Sequence, residues 1–368
     1  MSDSGLYVHI PFCRTRCAYC DFYSQTDLSL TPSWLEAVKR EARRHKERFS
    51  SFDSLYLGGG TPTTLTPSHL GDLVQFLFKE FPFQEDLEFT VEANPDDLSR
   101  DYVAFLKGLG VNRVSVGIQS LDDEALAFLR RRHSAEQAEM AVHRLKEAGF
   151  HTLSADLIYA LPGQTEKAWL RTLHRAMDLP LDHLSCYQLT FEANSPLGAL
   201  LRRGEIRKPG TETERLLFLA TSSLLEQEGY VHYEVSNFAR QGRLCRHNLK
   251  YWDGSPYLGL GPSAHSFDGK TRWWNTRSIH RYMERIFGGR SPVSGKEILS
   301  QEKRHMEYLL LGFRTILGVN VDKIYNTNNL DIILKQLQES GLAALKEGRL
   351  VPTREGFLHA DGLPLLFS

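Results

Sequence analysis

The sequence predicts an α/β protein: a partial, open (βα)6 barrel with a smaller α+β, winged-helix-like appendage at its C-terminal end. Three observations predict it. From residue 5 to about 190, apolar runs of strand length alternate six times with runs of helical periodicity, the pattern of parallel βαβ units. Glycines such as Gly110 and Gly149 close the helical runs. The residues able to do chemistry fall at the ends of the predicted strands or on the loops beyond, where barrels of this kind carry their sites.

Leu6–Ile10 is the first strand, and a cysteine-bearing loop follows it. Ser33–Arg48 sets Trp34, Val38 and Ala42 at helical spacing. Ser54–Leu57 is a strand running into Gly58, Gly59 and Gly60, and Pro67–Lys79 is a helix. Leu87–Ala93 is the third strand, with Arg100–Leu109 the helix after it. Arg113–Ile118 is the fourth, followed by a helical stretch from Glu124 to Ala148 in two pieces. Thr152–Ala160 is a strand, Glu166–Met177 a helix, and His183–Leu189 the sixth strand. Residues 191–300 read less regularly: a helix near Glu212–Gln227, then a run dense in aromatic residues and glycine from Tyr230 to Trp274. The last part opens with an amphipathic helix through Met306, Leu309, Leu310 and Phe313. A helix near Leu330–Leu337 and a strand at Arg349–Pro352 follow, in the outline of a winged helix. The expected units are thus a core barrel (1–190), an extension (191–300) and a winged-helix-like domain (301–368).

Composition narrows the function classes. Across 368 residues, 41% are hydrophobic and 24% charged, with a net charge of −1, so the global field gives no pull toward nucleic acid or an anionic membrane. Residues 301–368 hold eight Lys/Arg and eight Asp/Glu. This balance lacks the basic face that DNA phosphates demand of a winged helix and points to a packing or partner-binding appendage. No stretch approaches the roughly 20 apolar residues of a bilayer span. The N-terminal residues lack an apolar signal core and an Arg-rich transit pattern. Any membrane contact is therefore expected only through a partner, and a reducing cytoplasm is the expected compartment. Of five cysteines, Cys186 and Cys245 are isolated and read as small buried apolar residues.

The other three stand in Leu6-Tyr-Val-His-Ile-Pro-Phe-Cys-Arg-Thr-Arg-Cys-Ala-Tyr-Cys-Asp-Phe22, spaced C-x3-C-x2-C at Cys13, Cys17 and Cys20. Each iron of a cubane cluster takes one thiolate. Three clustered cysteines therefore hold three irons and leave the fourth open, as reductive cleavage of S-adenosylmethionine (SAM) requires. The competing reading is structural zinc, which wants four ligands; His9 is the nearest fourth and would have to turn inward from its strand. Gly58-Gly59-Gly60-Thr61-Pro62-Thr63 follows a strand and can bring backbone close to a ligand, or be only a tight turn. Glu92 and Gln119 end predicted strands and suit ribose, amine or carboxylate recognition; Glu92 reads equally as a cap for the next turn. Arg131 lies in Arg-Arg-Arg-His and can pair with a carboxylate or sit on a solvated helix face. Asp156 lies in an otherwise apolar strand and so needs a partner or ligand. His247-Asn-Leu-Lys-Tyr251-Trp252 offers a histidine beside two large aromatics. Those residues can ligate haem iron and pack on the macrocycle, or form an aromatic corner of the core, the commoner arrangement.

Together Leu6–Phe22, Gly58–Thr63, Val114–Ser120, Asp156–Thr165 and Tyr257–Ser266 resemble the HemN/HemW branch of the radical SAM proteins. The resemblance implies a [4Fe–4S] cluster on Cys13, Cys17 and Cys20. It implies SAM contacts from Tyr7, Tyr19, Gly59, Gly60, Thr61, Glu92, Gln119, Arg131 and Asp156. Two types share this branch. Oxygen-independent coproporphyrinogen dehydrogenases decarboxylate two propionates through a 5′-deoxyadenosyl radical. They carry a further cysteine two residues after the third, where this chain has Phe22, and a substantial arm before the cluster. The haem-chaperone type starts near its cluster and contains His-Asn-x-x-Tyr-Trp, as here at His247–Trp252, and is the better match. It implies haem bound by His247, Tyr251 and Trp252, with His265 the next candidate ligand. It also implies an acceptor protein for that haem, among them membrane respiratory enzymes, an electron donor for the cluster, and a homodimer.

Overall fold

The structure, a computed structural model, describes residues 4–325 and 328–367. The chain begins with β1 (Ser4–Ile10), the cysteine loop and α1 (Thr31–Arg43), then β2 (Phe52–Gly59) and α2 (Pro67–Glu80). Next come β3 (Phe83–Ala93) with α3 (Arg100–Gly108), β4 (Arg113–Gln119) with α4 (Asp123–Phe128) and α5 (Ala135–Glu147), β5 (Thr152–Tyr159) with α6 (Glu166–Met177), and β6 (His183–Gln188). These six strands pair in chain order and all in parallel, forming the partial barrel.

Local chemistry sets the helix starts. Thr66, Ser99, Asp122, Ser134 and Thr165 each accept a backbone N–H of the first turn that follows. Ser134 and Gln137 form a reciprocal capping box, which breaks the expected Glu124–Ala148 stretch into α4 and α5. Two boundaries in the barrel differ from expectation by more than two residues. α1 stops at Arg43, short of Arg48, because the Arg44 N–H turns to the Glu41 and Ala42 carbonyls. β3 starts at Phe83, before Leu87, because Phe83 already pairs with Phe52 of β2.

The stretch 191–300 is more regular than it reads. After α7 (Pro196–Arg202) and α8 (Thr211–Gln227) come β7 (Val231–Glu234), β8 (Asn237–Ala239), α9 (Arg246–Asp253), β9 (Tyr257–Leu260), β10 (His265–Phe267), β11 (Thr271–Asn275), α10 (Ile279–Phe287) and β12 (Val293–Ile298). Its short strands extend both edges of the same sheet. β9 joins β1 in parallel, followed by antiparallel β10, β11 and β12, while β8 and β7 add antiparallel to β6. Among the described residues no pairing joins β12 to β7, so the barrel stays open. The remainder, α11 (Gln301–Gly312), β13 (Val319–Asn320), α12 (Leu330–Glu339), β14 (Ala343–Lys346), β15 (Arg349–Pro352) and α13 (Arg354–Leu358), builds a three-stranded antiparallel sheet. A separate apolar core around Leu309, Phe313, Leu337 and Leu350 holds it. Among the described residues no helix is long and apolar enough to cross a membrane.

Strands buried on both faces in parallel sheets ordinarily read as unbroken apolar runs. Here the two faces differ. Leu6, Val8, Leu55, Leu57, Val91, Val114, Val116, Leu153 and Leu157 are fully buried within the main apolar core. The alternate positions, among them Tyr7, Tyr56, Thr90, Glu92, Arg113, Ser115, Ser154, Asp156, His183 and Ser185, line hollows inside the barrel. A polar interior wrapped in an apolar jacket is the frame of the site.

Candidate functional site

A cavity of about 1200 Å³ opens over the C-terminal ends of the parallel strands, and Cys13, Cys17 and Cys20 lie on its wall. The cysteine loop is pinched at its base, where Cys13 N–H donates to Gln25 O (2.8 Å) and Gln25 N–H to Pro11 O (2.5 Å). Its middle is fixed by Ala18, whose N–H donates to Leu129 O and whose carbonyl accepts Leu197 N–H. The turn that follows β2 clamps the start, Gly60 N–H on Ile10 O (2.8 Å) and Thr61 N–H on Phe12 O (2.7 Å). The three thiols are free and partly buried. Burial raises the Cys13 thiol and pushes Cys20 up to about 11, so their thiolates need a cation to form.

Among the described residues no three His, Cys, Asp or Glu side chains converge on one point, as a single ion would require. A cubane spreads its thiolates over separate irons, so three cysteines side by side on one wall suit it better than zinc. His9 does face the cavity, yet it is engaged elsewhere. Its Nε2–H donates to Tyr23 O (2.8 Å), which leaves Nδ1 to accept from Tyr7 OH (3.0 Å).

Both glycines beside the loop are sterically required. Gly59 holds φ +109°, and a Cβ there would lie 2.5 Å from His9 Nδ1. A Cβ on Gly60 would lie 2.6 Å from Phe12 O. Their bare backbone is a cradle at the cavity wall. Glu92 faces it, accepting from Tyr56 OH (2.9 Å) and Gly59 N–H (3.0 Å). Burial, reinforced by the charge of Asp156, pushes Glu92 up to about 7 against those two bonds. Asp156 lies inside β5 rather than at its end, one layer deeper than expected. Burial raises it too, opposed by hydrogen bonds from Ser185 and Ser115 (3.2 Å). Two carboxylates in one chamber, held by neutral donors, form a receptor for a cation.

Gln119 ends β4 at φ 67°, beside a register shift that turns it into the cavity. Of the three adjacent arginines, Arg131 reaches the loop, donating to Cys17 Sγ (3.2 Å) and Tyr19 OH (3.5 Å). Arg132 turns to Asp96 and Asp97. Tyr7, Tyr19 and Thr61 also line the cavity.

The His247–Trp252 run forms α9, which closes the floor of the barrel. Glu88 anchors its first turn, accepting the N–H groups of Arg246 (3.2 Å) and His247 (3.0 Å), as a carboxylate at a helix N-terminus should. Arg113 braces Glu88 at 3.5 Å and donates to the carbonyls of Arg243 and Leu244. His247 is 1% exposed and stacks on Tyr56, ring centroids 5.1 Å apart. Nδ1 shares a hydrogen bond with Ser54 Oγ and Nε2 with Tyr251 OH, each at 3.0 Å. Burial drives its pKa down to about 3, so the ring is neutral. Tyr251 lies one turn on and keeps 36% of its surface accessible, toward the cavity. Trp252 is half-buried and does not line the cavity. At the mouth stand Phe22, 71% exposed, and His265, stacked on Trp274 at 6.0 Å.

Sequence reading missed the supporting groups Tyr56, Ser115, Ser185, Glu88, Arg113 and Ser54. Strand alternation was the signal for Tyr56, Glu88, Ser115 and Ser185, each set between apolar neighbours, whereas Ser54 follows Asp53 and Arg113 follows Asn112 near the starts of their strands. Sequence reading also missed Asn94, which joins Arg131 to Thr61 beside the cysteine loop.

A parallel partial barrel with a three-cysteine loop over its C-terminal mouth defines the radical SAM class. The family model of the Radical SAM superfamily matches residues 7–176. A protein called heme chaperone HemW from Mycobacterium tuberculosis is 35% identical over 367 residues, spanning 98% of this chain and 93% of that protein. Its Bacillus subtilis namesake is 33% identical over 96% of both chains. Among solved structures, the radical SAM enzyme coproporphyrinogen III oxidase HemN from Escherichia coli superposes with a TM-score of 0.84 at 23% identity. It covers 99% of this chain and 90% of its own, a likeness of fold. The chain belongs to the HemW family of radical SAM proteins, and the cofactors of that superfamily are a [4Fe–4S] cluster and SAM. The donor set present fits both: three unpaired thiols on one cavity wall, and a glycine cradle facing a carboxylate pair.

Proposed function

We propose that the protein is a cytoplasmic haem chaperone on a radical SAM scaffold, taking up haem and passing it to an acceptor protein. One observation carries this reading: the near full-length likeness to proteins named heme chaperone HemW. The cavity supports it. Ligand sites usually span about 300–1,000 Å³, and this one, at about 1200 Å³, has room beyond SAM alone. In this reading Cys13, Cys17 and Cys20 hold the cluster. SAM lies against Tyr7, Tyr19, Gly59, Gly60, Thr61, Glu92, Gln119, Arg131 and Asp156, its cationic end toward the carboxylates. A cluster held there would supply the sulfonium with one electron, taken from an external donor. Haem would be ligated by His247, which must first leave Ser54 and Tyr251, and contacted by Tyr251 at the cavity wall and by Trp252 once α9 has moved to bring it there. Acceptors include membrane enzymes, reached through the partner alone, and the working unit is a homodimer.

Haem titration of the anaerobically reconstituted protein, wild type beside His247→Ala, tests the reading. Saturable one-to-one binding weakened by the substitution is the expected result. No specific haem binding in a protein with a full cluster would overturn it. Decarboxylated porphyrin from coproporphyrinogen, SAM and reductant would transfer the assignment to the dehydrogenase.

A further inference from the structure

Five side chains at the cysteine loop join in one directed hydrogen-bond chain. Arg131 Nη1 donates to Cys17 Sγ at 3.2 Å, and Nη2 donates to Asn94 Oδ1 at 2.5 Å. Asn94 Nδ2 lies 3.3 Å from Thr61 Oγ1, which lies 3.5 Å from Cys13 Sγ. The guanidinium has donors only, so Asn94 must present its carbonyl oxygen to Arg131 and its NH2 to Thr61. Thr61 then accepts from Asn94, and its own proton is left to point at Cys13. The orientation of the whole chain follows from one amide.

Asn94 is placed for this work. Asparagine before a helical turn usually caps it, but here its side chain makes no cap bond to the turn Pro95–Asp97. Pro95 disfavours helical backbone at Asn94, which is extended at φ −90°, ψ 141°. The side chain is therefore free to reach between β2 and β4. Gly117 leaves the space: its carbonyl accepts Arg131 Nη2 at 2.7 Å. A Cβ there would stand 3.3 Å from that nitrogen and 3.6 Å from Asn94 Oδ1.

We infer that Asn94 is a positioning residue for the iron–sulfur cluster, aiming one hydrogen bond at Cys17 through Arg131 and one at Cys13 through Thr61. The inference rests on the reading that these cysteines hold a [4Fe–4S] cluster. Hydrogen bonds to the sulfurs are among the factors that set a cluster's reduction potential, and outer partners of this kind fix ligand orientation. Donated to a thiolate, they favour the reduced cluster by offsetting its added negative charge.

The experiment is a redox titration of anaerobically reconstituted protein followed by electron paramagnetic resonance, for wild type, Asn94→Ala and Thr61→Val. Iron and sulfide are measured on each sample. Asn94→Ala is expected to retain iron and sulfide while its reduction equilibrium moves about tenfold toward the oxidised cluster, about 59 mV for a one-electron couple. Thr61→Val, which cuts only the Cys13 arm, should move it part of the way. Wild-type potentials in both variants with full clusters would overturn the inference. If Asn94→Ala does not fold by circular dichroism, Thr61→Val decides alone by the same criterion. Wild-type protein that takes up no iron and sulfide would overturn the cluster reading itself, an outcome separate from an unchanged potential.

Discussion

Binding of SAM should depend on pH through Glu92, in a direction the structure fixes. Burial and the neighbouring Asp156 charge raise the Glu92 carboxyl from 4.5 to about 7. Between those values the unliganded fold binds a proton that the unfolded chain does not, so stability drops as pH rises through the window. A cationic ligand reverses the preference: the ammonium and sulfonium of SAM favour the carboxylate, so binding releases the proton. About one Glu92 in eleven is ionised at pH 6 and about three-quarters at pH 7.5; if the ionised form binds, affinity gains about eightfold over that range. Above it the α-amino group of SAM, with an ordinary pKa of about 8, begins to lose its own proton and the gain ends. Titration calorimetry in buffers of differing ionisation enthalpy reads both the affinity and the released proton. Glu92→Gln should bind more weakly at pH 7.5 and lose the slope. Flat wild-type affinity from pH 6 to 7.5, or a slope surviving in the variant, would refute the reasoning.

Three further outcomes can be measured on the same protein. Arg113→Ala should cost about 3–5 kcal/mol, because it leaves the buried Glu88 carboxylate without its cation; a wild-type denaturation midpoint would contradict this. Glu41 is 1% exposed and accepts from Gly261 N–H, Asn275 and Tyr282, yet burial pushes it up from 4.5 to about 7. The stability it favours is complete below pH 4.5 and is lost as pH rises through 7, in total about 3 kcal/mol. Glu41→Gln should flatten that part of the stability–pH profile, and an unchanged profile would refute it. Cys17→Ala should abolish the intact cluster and SAM binding while circular dichroism keeps the barrel signal; retention of both would refute the ligand set.

The barrel was legible because its alternation is strong and its helix stops are local: Gly110 and Gly149, both at positive φ, close their helices without help from the rest of the chain. Cys13, Cys17 and Cys20 were legible as a group because their spacing lies within one loop, which the structure sets along one cavity wall. What escaped notice lies across strands. Glu92 needs Tyr56 from β2, and Asp156 needs Ser115 from β4 and Ser185 from β6. Such pairs depend on register, which no single segment encodes. The edge strands β7–β12 escaped for another reason: each is short, and tertiary pairing rather than propensity makes them strands. His247 shows the limit most clearly. Its spacing to Tyr251 states that the two share a helix face, but only the folded chain shows that this face plugs the barrel.

That plug makes the haem reading of His247 unusually exposed to test, through a residue haem need not touch. Ser54 Oγ and Tyr251 OH occupy both nitrogens of the neutral ring, so iron ligation requires at least one of these bonds to break. Ser54→Ala removes the Nδ1 partner and leaves a buried nitrogen unsatisfied, raising the plugged state by about 1–3 kcal/mol. If His247 must leave Ser54 to reach iron, that cost falls on the free protein alone, and haem affinity should rise about fivefold for each kcal/mol. If Ser54 instead orients an imidazole that ligates in place, the same substitution should weaken haem binding. No change would mean that the ring does not ligate, and His265 at the mouth becomes the residue to replace. A haem titration of Ser54→Ala beside wild type, read at the Soret band, separates the three outcomes, and only the first agrees with a histidine drawn out of the barrel floor.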